Sequence, residues 1–248
     1  MKMPPFHSGF VKWPVMVVLA LSAPGFNALA DEPGAVKTVK PDTVLELFTS
    51  QGCSSCPPAN DFVRQYAKSD DVLVLSYSVD YWNYMGWRDT FSRAEFTRRQ
   101  KNYARRLGGH IYTPEMVLNG QVHNSRFTKA EISQVKLAGG PKVQITPQTD
   151  GIGIEVQATG DDARNKPYSI MAVRYRPEVR PVAVKAGENR GKTLHLTNIV
   201  EACDEIGKTN ATFRTKLPPL KPGQALAILV EDGRGGPILA AAHTRPAP

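Results

Sequence analysis

The chain has 248 residues, of which 41% are hydrophobic, and it carries a formal net charge of +8 with only three cysteines. This length suits one large domain or two ordinary ones. Beyond residue 30 no segment is apolar for long enough to cross a membrane, and no two histidines stand at metal-ligand spacing. These features argue against an integral helical membrane protein and against a histidine-rich metal site.

Residues 1–30 have the pattern of a secretory signal peptide. Lys2 and Lys12 give a basic start, residues 15–21 an apolar run, and residues 28–30 a small-x-small cleavage sequence. The apolar run is too short for a stable membrane anchor. We therefore expect export to the periplasm or the medium, where two neighbouring cysteines can be oxidised.

Residues 31–140 alternate strand and helix patterns. Short apolar runs indicate strands, and apolar residues at i, i+3, i+4 and i+7 indicate helices. The predicted elements are a strand at 43–48, a helix over 59–66, a strand at 72–79, a helix over 92–107, a hairpin at 116–123 turning at Asn119-Gly120, and a helix over 127–137. This order predicts a small α/β domain over residues 31–140.

The helix predicted over residues 92–107 carries most of the positive charge. Its cations stand opposite apolar residues at helical spacing, so we interpret them as the solvated face of an amphipathic helix. No aromatic residues alternate with the cations and no nucleic-acid motif accompanies them. A nucleic-acid partner is therefore not expected.

Residues 141–248 follow a different pattern, after a break at Gly139-Gly140-Pro141. Short alternating runs separated by Gly, Pro, Asp and Asn predict strands at 143–145, 152–156, 170–175, 182–184, 226–230 and 238–241. We expect an all-β, sandwich-like domain. Residues 196–206 have helical spacing, which predicts a short helix that packs Cys203 against the core in its reduced form. The alternative is a disulfide between Cys203 and Cys53.

The sequence FTSQGCSSCPPAND, from Phe48 onwards, places Cys53 and Cys56 where a strand gives way to a helix. A Cys-x-x-Cys pair in that position suits thiol–disulfide exchange, which needs an attacking thiolate and a second thiol that resolves the mixed disulfide. We expect Cys53 to attack from an exposed position and Cys56 to resolve. Pro57 and Pro58 should delay the helix start to that point.

Three stretches show a family resemblance: LELFTSQGCSSCPPA at residues 45–59, VDYWNYMGW at 79–87, and YTP followed by VLNG within 112–120. The chain resembles an exported bacterial family known by a domain-of-unknown-function label and similar to thioredoxins in its first half. The resemblance extends to residues 187–191. It implies an α/β thioredoxin-like N-terminal domain followed by an all-β, sandwich-like C-terminal domain.

The same resemblance implies a site around the cysteines. Thioredoxin-like proteins place a cis proline opposite the Cys-x-x-Cys, and Thr113-Pro114 stands where that motif belongs. Glu46 stands much where thioredoxins carry a buried acid, which could accept the proton of Cys56. Strand alternation allows a plainer alternative, in which Glu46 faces solvent.

The loop over residues 80–87 is rich in large side chains, namely Tyr81, Trp82, Tyr84 and Trp87. If the two preceding strands are parallel, this loop lies beside Cys53, because the carboxyl ends of parallel strands share one edge. The aromatic side chains then either bind an apolar substrate or cover the protein core.

The leading hypothesis is therefore an exported oxidoreductase that exchanges electrons with protein or small-molecule thiols and disulfides and needs no cofactor. One alternative is Cu(I) handling through the same pair, with Met85 or His110 as extra ligands. Another is a non-catalytic binding module with a permanent disulfide. The stretch GENRGKT, from Gly187, has three residues between its glycines and lacks the spacing of a phosphate-binding loop.

Overall fold

The structure is a computed structural model that describes residues 1–2, 37–159 and 166–245. The chain divides into two compact units, residues 1–32 and residues 33–248. Almost all of the predicted signal peptide lies outside the described residues. The fold below is that of the second unit.

Strands dominate the part of the second unit that the structure describes. The strands are β1 (Lys37–Val39), β2 (Thr43–Thr49), β3 (Val72–Ser78), β4 (Glu115–Leu118), β5 (Val122–Asn124), β6 (Lys142–Gln148), β7 (Gly151–Gln157), β8 (Tyr168–Arg176), β9 (Arg180–Ala183), β10 (Thr193–Leu196), β11 (Ile199–Thr209), β12 (Thr212–Leu217), β13 (Ala225–Glu231) and β14 (Ile238–Arg245). The helices are α1 (Pro57–Arg64), α2 (Ala94–Leu107) and α3 (Lys129–Gln134). Every strand and helix predicted for residues 43–137 is confirmed, with small shifts at the ends.

Nine strands form one sheet in the order β1-β14-β13-β8-β11-β3-β2-β4-β5. β2 and β3 are parallel, and β11 meets β3 in parallel through a single pair, Ile199 with Ser76. Asn198 reinforces this junction, because its Nδ2 donates to Val74 O at 2.8 Å and its own carbonyl accepts from Ser76 N at 3.0 Å. The sheet thus continues from the first half of the chain into the second.

The predicted fold class is wrong. An α/β thioredoxin-like domain and a separate all-β domain would each have a sheet of their own. The structure is instead mostly β, and one nine-stranded sheet includes strands from both halves of the chain. The error has a local cause, since residues 199–209, predicted in part as a helix, form β11, the strand that joins the halves. The sequence-based boundaries, 31–140 and 141–248, stay a prediction.

The three helices cover both faces of the β2–β3–β4 region. Leu45 and Leu47 point to one face and pack with Ala59 and Val63 of α1. Phe48, on the opposite face, packs with the rings of α2. This alternation follows from the period of two along a strand, and β2 is buried along its whole length because both faces are covered.

A second layer consists of the three-stranded sheet β12-β7-β6. Ile145 and Ile154 on this sheet pack against Ile170 of β8 and Ile228 of β13. β9 and β10 form a separate two-stranded hairpin. The predicted strands of the second half are confirmed individually, and the hairpin carries the segment that reaches the cysteines.

Candidate functional site

Cys53 and Cys56 form a disulfide in the loop between β2 and α1. As the double proline predicted, α1 begins at Pro57 with Cys56 as its N-cap residue, and the Cys56 carbonyl accepts hydrogen bonds from Ala59 N at 3.0 Å and Asn60 N at 3.1 Å. Pro57 and Pro58 have no N–H group. The first turn of α1 therefore offers fewer amide donors to a thiolate than an ordinary helix start.

Thr113 and Pro114 lie beside the disulfide, and the peptide bond between them is cis. The Cys53 Sγ atom is 3.7 Å from the carbonyl oxygen of Thr113. Ser55 Oγ lies 3.3 Å from Cys53 Sγ and 3.4 Å from the same carbonyl. The structure thus brings together the two motifs that the sequence placed in one site, although they are about 60 residues apart along the chain.

Both cysteines are buried, with 0% of their surface exposed. The expectation that Cys53 is open to solvent is therefore wrong for this state. Residues 187–189, which we call the clasp, bind the cysteine loop. Asn189 Nδ2 donates to Gln51 O at 3.0 Å and to Cys53 O at 2.8 Å, and Ser54 N donates to Glu188 Oε2 at 3.0 Å. The hydrogen bond from Ser54 lowers the pKa of Glu188.

The turn between β9 and β10 holds the clasp in place. Lys192 Nζ donates to Asn189 Oδ1 at 3.0 Å, and Gly191 N donates to Val184 O at 2.9 Å. Gly187 has φ +73°, and a Cβ there would come within 3.2 Å of the Trp87 Cβ. A glycine is thus required at this point by both its backbone angle and its close packing.

Gln51 ties the cysteine loop to the segment after β3. Its backbone N donates to the Asp89 carboxylate at 2.8 Å, and its side chain donates to Thr90 Oγ1 at 2.9 Å and accepts from Trp87 Nε1 at 2.9 Å. Burial raises the pKa of Asp89. Together with Asn189, these contacts fix the loop from two sides.

The sequence left two roles open for the aromatic loop, which were to bind an apolar substrate or to cover the protein core, and its side chains differ in this respect. Trp82 donates from Nε1 to Thr113 Oγ1 at 2.7 Å, and Tyr81 and Trp82 both pack against the main core. Trp87 packs on the small core beneath the β9–β10 hairpin. Tyr84 alone of these four is strongly exposed, at 81%. Three of the predicted substrate-binding aromatics therefore hold the site together, and Tyr84 faces solvent.

Glu46 is buried, but it does not meet the cysteines. It lies on the α2 face of β2, whereas Ala59 and Val63 of α1 pack on the opposite face. Arg99 donates to both carboxylate oxygens of Glu46, at 2.7 and 3.0 Å, and Tyr103 OH donates to Oε2. The sequence-based role of Glu46 as proton acceptor for Cys56 stays a prediction without a contact in the structure.

Arg99 also contacts Glu231 at the end of β13, at 2.7 Å. One buried guanidinium thus faces two buried carboxylates, and burial raises the pKa of Glu231. The Cys203 thiol lies near this cluster, and burial raises its pKa to about 12. Cys203 is a free cysteine, as predicted, although it lies on a strand and not on a helix.

The described residues include no group of three His, Cys, Asp or Glu side chains placed to hold a metal ion. Within the same residues, no helix has the length and apolar character needed to span a bilayer.

Sequence reasoning missed the clasp and the acid that anchors Gln51. Asp89 stands two residues after the aromatic loop, and the clasp lies more than 130 residues from Cys53 along the chain. The signal that pointed to the clasp was the family resemblance of residues 187–191, whose purpose the sequence alone did not explain. The structure gives that segment a position against the cysteine loop.

The fold and site define a mostly β protein with a Cys-x-x-Cys disulfide between a buried strand and a helix, in a loop that is hydrogen-bonded to a β-hairpin turn. The chain belongs to the family described as "Protein of unknown function (DUF1223)", whose model matches residues 44–231. This confirms the resemblance to a domain-of-unknown-function family. Its predicted similarity to thioredoxins is not shown by the family match.

Two solved structures are similar to the chain. A crystal structure of a protein from Agrobacterium tumefaciens shares 30% identity and a TM-score of 0.65, covering 81% of this chain and 92% of that one. HBP35 of Porphyromonas gingivalis shares 14% identity and a TM-score of 0.58, covering 83% of this chain and 75% of that one, which is a likeness of fold alone. No curated protein matches the chain significantly.

Proposed function

We propose that the Cys53–Cys56 pair exchanges electrons with thiols and disulfides of other molecules in an oxidising compartment outside the cytoplasm. The observation that carries this proposal is the position of the pair: the disulfide sits at the carboxyl end of β2, with the Thr113 carbonyl 3.7 Å from Cys53 Sγ. In open sheets with parallel strands, ligands bind at the edge formed by the carboxyl ends of those strands.

The exchange balances as a two-electron reaction. A substrate thiolate attacks Cys53 Sγ, the Cys53–Cys56 bond breaks, and Cys56 leaves as a thiolate that takes a proton from water. A second substrate thiolate then attacks the substrate sulfur of the mixed disulfide and releases Cys53, which is protonated in turn. Two substrate thiols become one disulfide, and the pair becomes a dithiol. The reverse sequence reduces a substrate disulfide.

Burial of both sulfurs requires a further step, because an attacking thiolate must reach one of them in line with the bond. The clasp belongs to the small β9–β10 hairpin, and it meets the backbone of the cysteine loop through three hydrogen bonds. We propose that the clasp detaches before exchange. Local opening of one segment costs less free energy than unfolding of the whole protein.

A second function, a permanent structural disulfide, is favoured by the burial itself. The disulfide would contribute little to the stability of the fold, because the two cysteines are only three positions apart. In the chain-entropy model, closing so short a loop stabilises a protein by roughly 2 kcal/mol. A bond that mainly fastens a fold usually joins more distant parts of a chain. The exchange function therefore remains the better supported of the two.

Trapping the mixed disulfide tests the proposal. In Cys56→Ser the resolving thiol is gone, so incubation with glutathione disulfide should add one glutathione to Cys53 in the intact mass spectrum. The Cys53→Ser/Cys56→Ser double variant keeps Cys203 and serves as the matched control, which should gain none. A folded Cys56→Ser protein that never forms the adduct overturns the proposal. If this variant does not fold, reversible reduction of the natural protein with an unchanged circular dichroism spectrum decides instead.

A further inference from the structure

The side chain of Ser55 lies directly against Cys53, the cysteine at which the proposed exchange takes place. Ser55 Oγ is 3.3 Å from Cys53 Sγ, and within the described residues no other side chain is hydrogen-bonded to that sulfur. The remaining polar contact of the sulfur is the backbone carbonyl of Thr113, at 3.7 Å. Ser55 is thus the polar side chain at the atom on which the exchange places a negative charge.

The amide groups that usually stabilise a thiolate at a helix start are missing or occupied here. The two prolines that open α1 have no N–H group. The next two amides, those of Ala59 and Asn60, donate to the Cys56 carbonyl at 3.0 and 3.1 Å, and the amide of Cys56 itself donates to the Cys53 carbonyl at 3.2 Å. These amides are therefore not free to stabilise a thiolate at Cys53.

The charged groups around the cysteine loop do not replace them, because among the described residues no cation is hydrogen-bonded to the sulfur. Glu188 of the clasp and Asp89 each accept from a backbone amide of the loop, at 3.0 and 2.8 Å. Lys192 donates within the clasp turn. Beyond the cis proline, Glu115 is paired with His123 at 2.8 Å. The carboxylates disfavour a further negative charge nearby.

The Ser55 hydroxyl has two acceptors within reach, because it also lies 3.4 Å from the carbonyl oxygen of Thr113. A hydroxyl has one proton and rotates to suit its acceptor. In the disulfide the sulfur is neutral and a weak acceptor, so the proton points to the carbonyl. A Cys53 thiolate is the stronger acceptor of the two, since hydrogen bonds to ionised groups are roughly twice as strong as neutral ones.

We propose that Ser55 is a further catalytic residue of the exchange, whose hydroxyl turns from the Thr113 carbonyl to Cys53 Sγ and donates a hydrogen bond to the thiolate. The proton stays on the serine oxygen throughout. The hydrogen bond stabilises the charge that forms when a substrate thiolate releases Cys53 from the mixed disulfide, and the charge that attacks in the reverse direction. This inference rests on the proposed exchange, but it concerns the thiolate itself, so its test needs no substrate.

The ultraviolet absorbance of the thiolate, followed from pH 4 to pH 9, tests the proposal in the Cys56→Ser protein. Cys53 is then the cysteine that titrates in this range, because burial raises the pKa of Cys203 to about 12. Adding Ser55→Ala should raise the midpoint of the transition by about 0.5–1 pH unit, the lower range for a hydrogen bond to a charged group, because Ser55 is exposed to water. Ser55→Thr keeps the hydroxyl and should keep the midpoint.

Ser133→Ala is the matched control. Ser133 is also exposed, and its hydroxyl donates to a backbone carbonyl, that of Ala130, at 2.8 Å. Its midpoint should equal that of the Cys56→Ser parent. The proposal is overturned if Ser55→Ala leaves the midpoint unchanged, if Ser133→Ala raises it equally, or if Cys53 stays a thiol over the whole range. If Cys56→Ser does not fold, the first thiolate transition of the reduced natural protein, with and without Ser55→Ala, decides in the same way.

The outcome separates this inference from the exchange function. A glutathione adduct on Cys53 together with an unchanged midpoint in Ser55→Ala refutes the role of Ser55 and leaves the exchange in place. A raised midpoint in a protein that never forms the adduct supports the hydrogen bond to the thiolate and refutes the exchange.

Discussion

Asn189→Ala tests whether the clasp controls access to the disulfide. Asn189 is fully buried, and its side chain donates to the carbonyls of Gln51 and Cys53. Each neutral hydrogen bond contributes about 0.5–1.5 kcal/mol net, so the two together hold the closed state by about 1–3 kcal/mol. If the open form is the reactive one, truncation should raise its population, and the rate of disulfide reduction, by about 5-fold to 150-fold.

The rate is measured by adding dithiothreitol to the oxidised protein, quenching with an alkylating reagent at intervals, and counting alkyl groups by mass spectrometry. Thr43→Val is the matched control. Thr43 is fully buried at the far end of β2, and its hydroxyl donates to Val135 O at 2.9 Å, so the variant loses one buried hydrogen bond away from the clasp. Its reduction rate should stay that of the natural protein. An unchanged rate in Asn189→Ala, or equal acceleration in Thr43→Val, refutes the clasp as gate.

Three further results concern Cys203, which is partly buried against the main core, and the buried residues Arg99 and His243. Because burial raises the pKa of Cys203 to about 12, iodoacetamide at pH 8 should leave it unmodified in the folded protein and alkylate it in urea; rapid labelling of the folded state would contradict this. Arg99→Met leaves Glu46 and Glu231 buried without their cation and should lower the free energy of unfolding in urea by about 3–5 kcal/mol; a loss below about 1 kcal/mol would refute the account of this cluster. The pKa of His243 falls from 6.5 to about 4 on folding, so the unfolded chain binds the proton first and stability should fall by up to about 3 kcal/mol as the pH drops from 6.5 to 4. His243→Gln should remove that slope in urea titrations across this pH range, and a slope that persists would show that other groups cause it.

Most individual elements could be predicted from the sequence, because apolar periodicity is a local property. The prediction failed at β11, where a helix was expected. Its pairing with β8 shifts register between Val200 and Ala202 and again between Glu205 and Gly207. Each such irregularity interrupts the alternation of a strand, so the apolar residues recur at three and four positions and imitate a helix. The error hid the strand that joins both halves into one sheet, and with it the fold class.

The parts of the candidate site that are short sequence patterns could also be predicted. The Cys-x-x-Cys spacing and the proline at 114 are short patterns, and the structure places them together. The surroundings depend on residues far apart along the chain. The partner of Glu46 is Arg99, 53 positions away, and the partner of the Cys53 carbonyl is Asn189, 136 positions away. Neither pairing leaves a periodic signal, so the burial of the sulfurs could not be foreseen.

The equilibrium of the Cys53–Cys56 pair in glutathione buffers of graded composition is the most direct measurement of the central claim. Alkylation and intact mass would report the fraction of dithiol, and circular dichroism would report the fold. We predict a reversible two-electron transition between two folded forms, reached at the same midpoint from the oxidised and the reduced side. A pair that stays oxidised until the protein itself unfolds would contradict the exchange function and leave the disulfide a structural one.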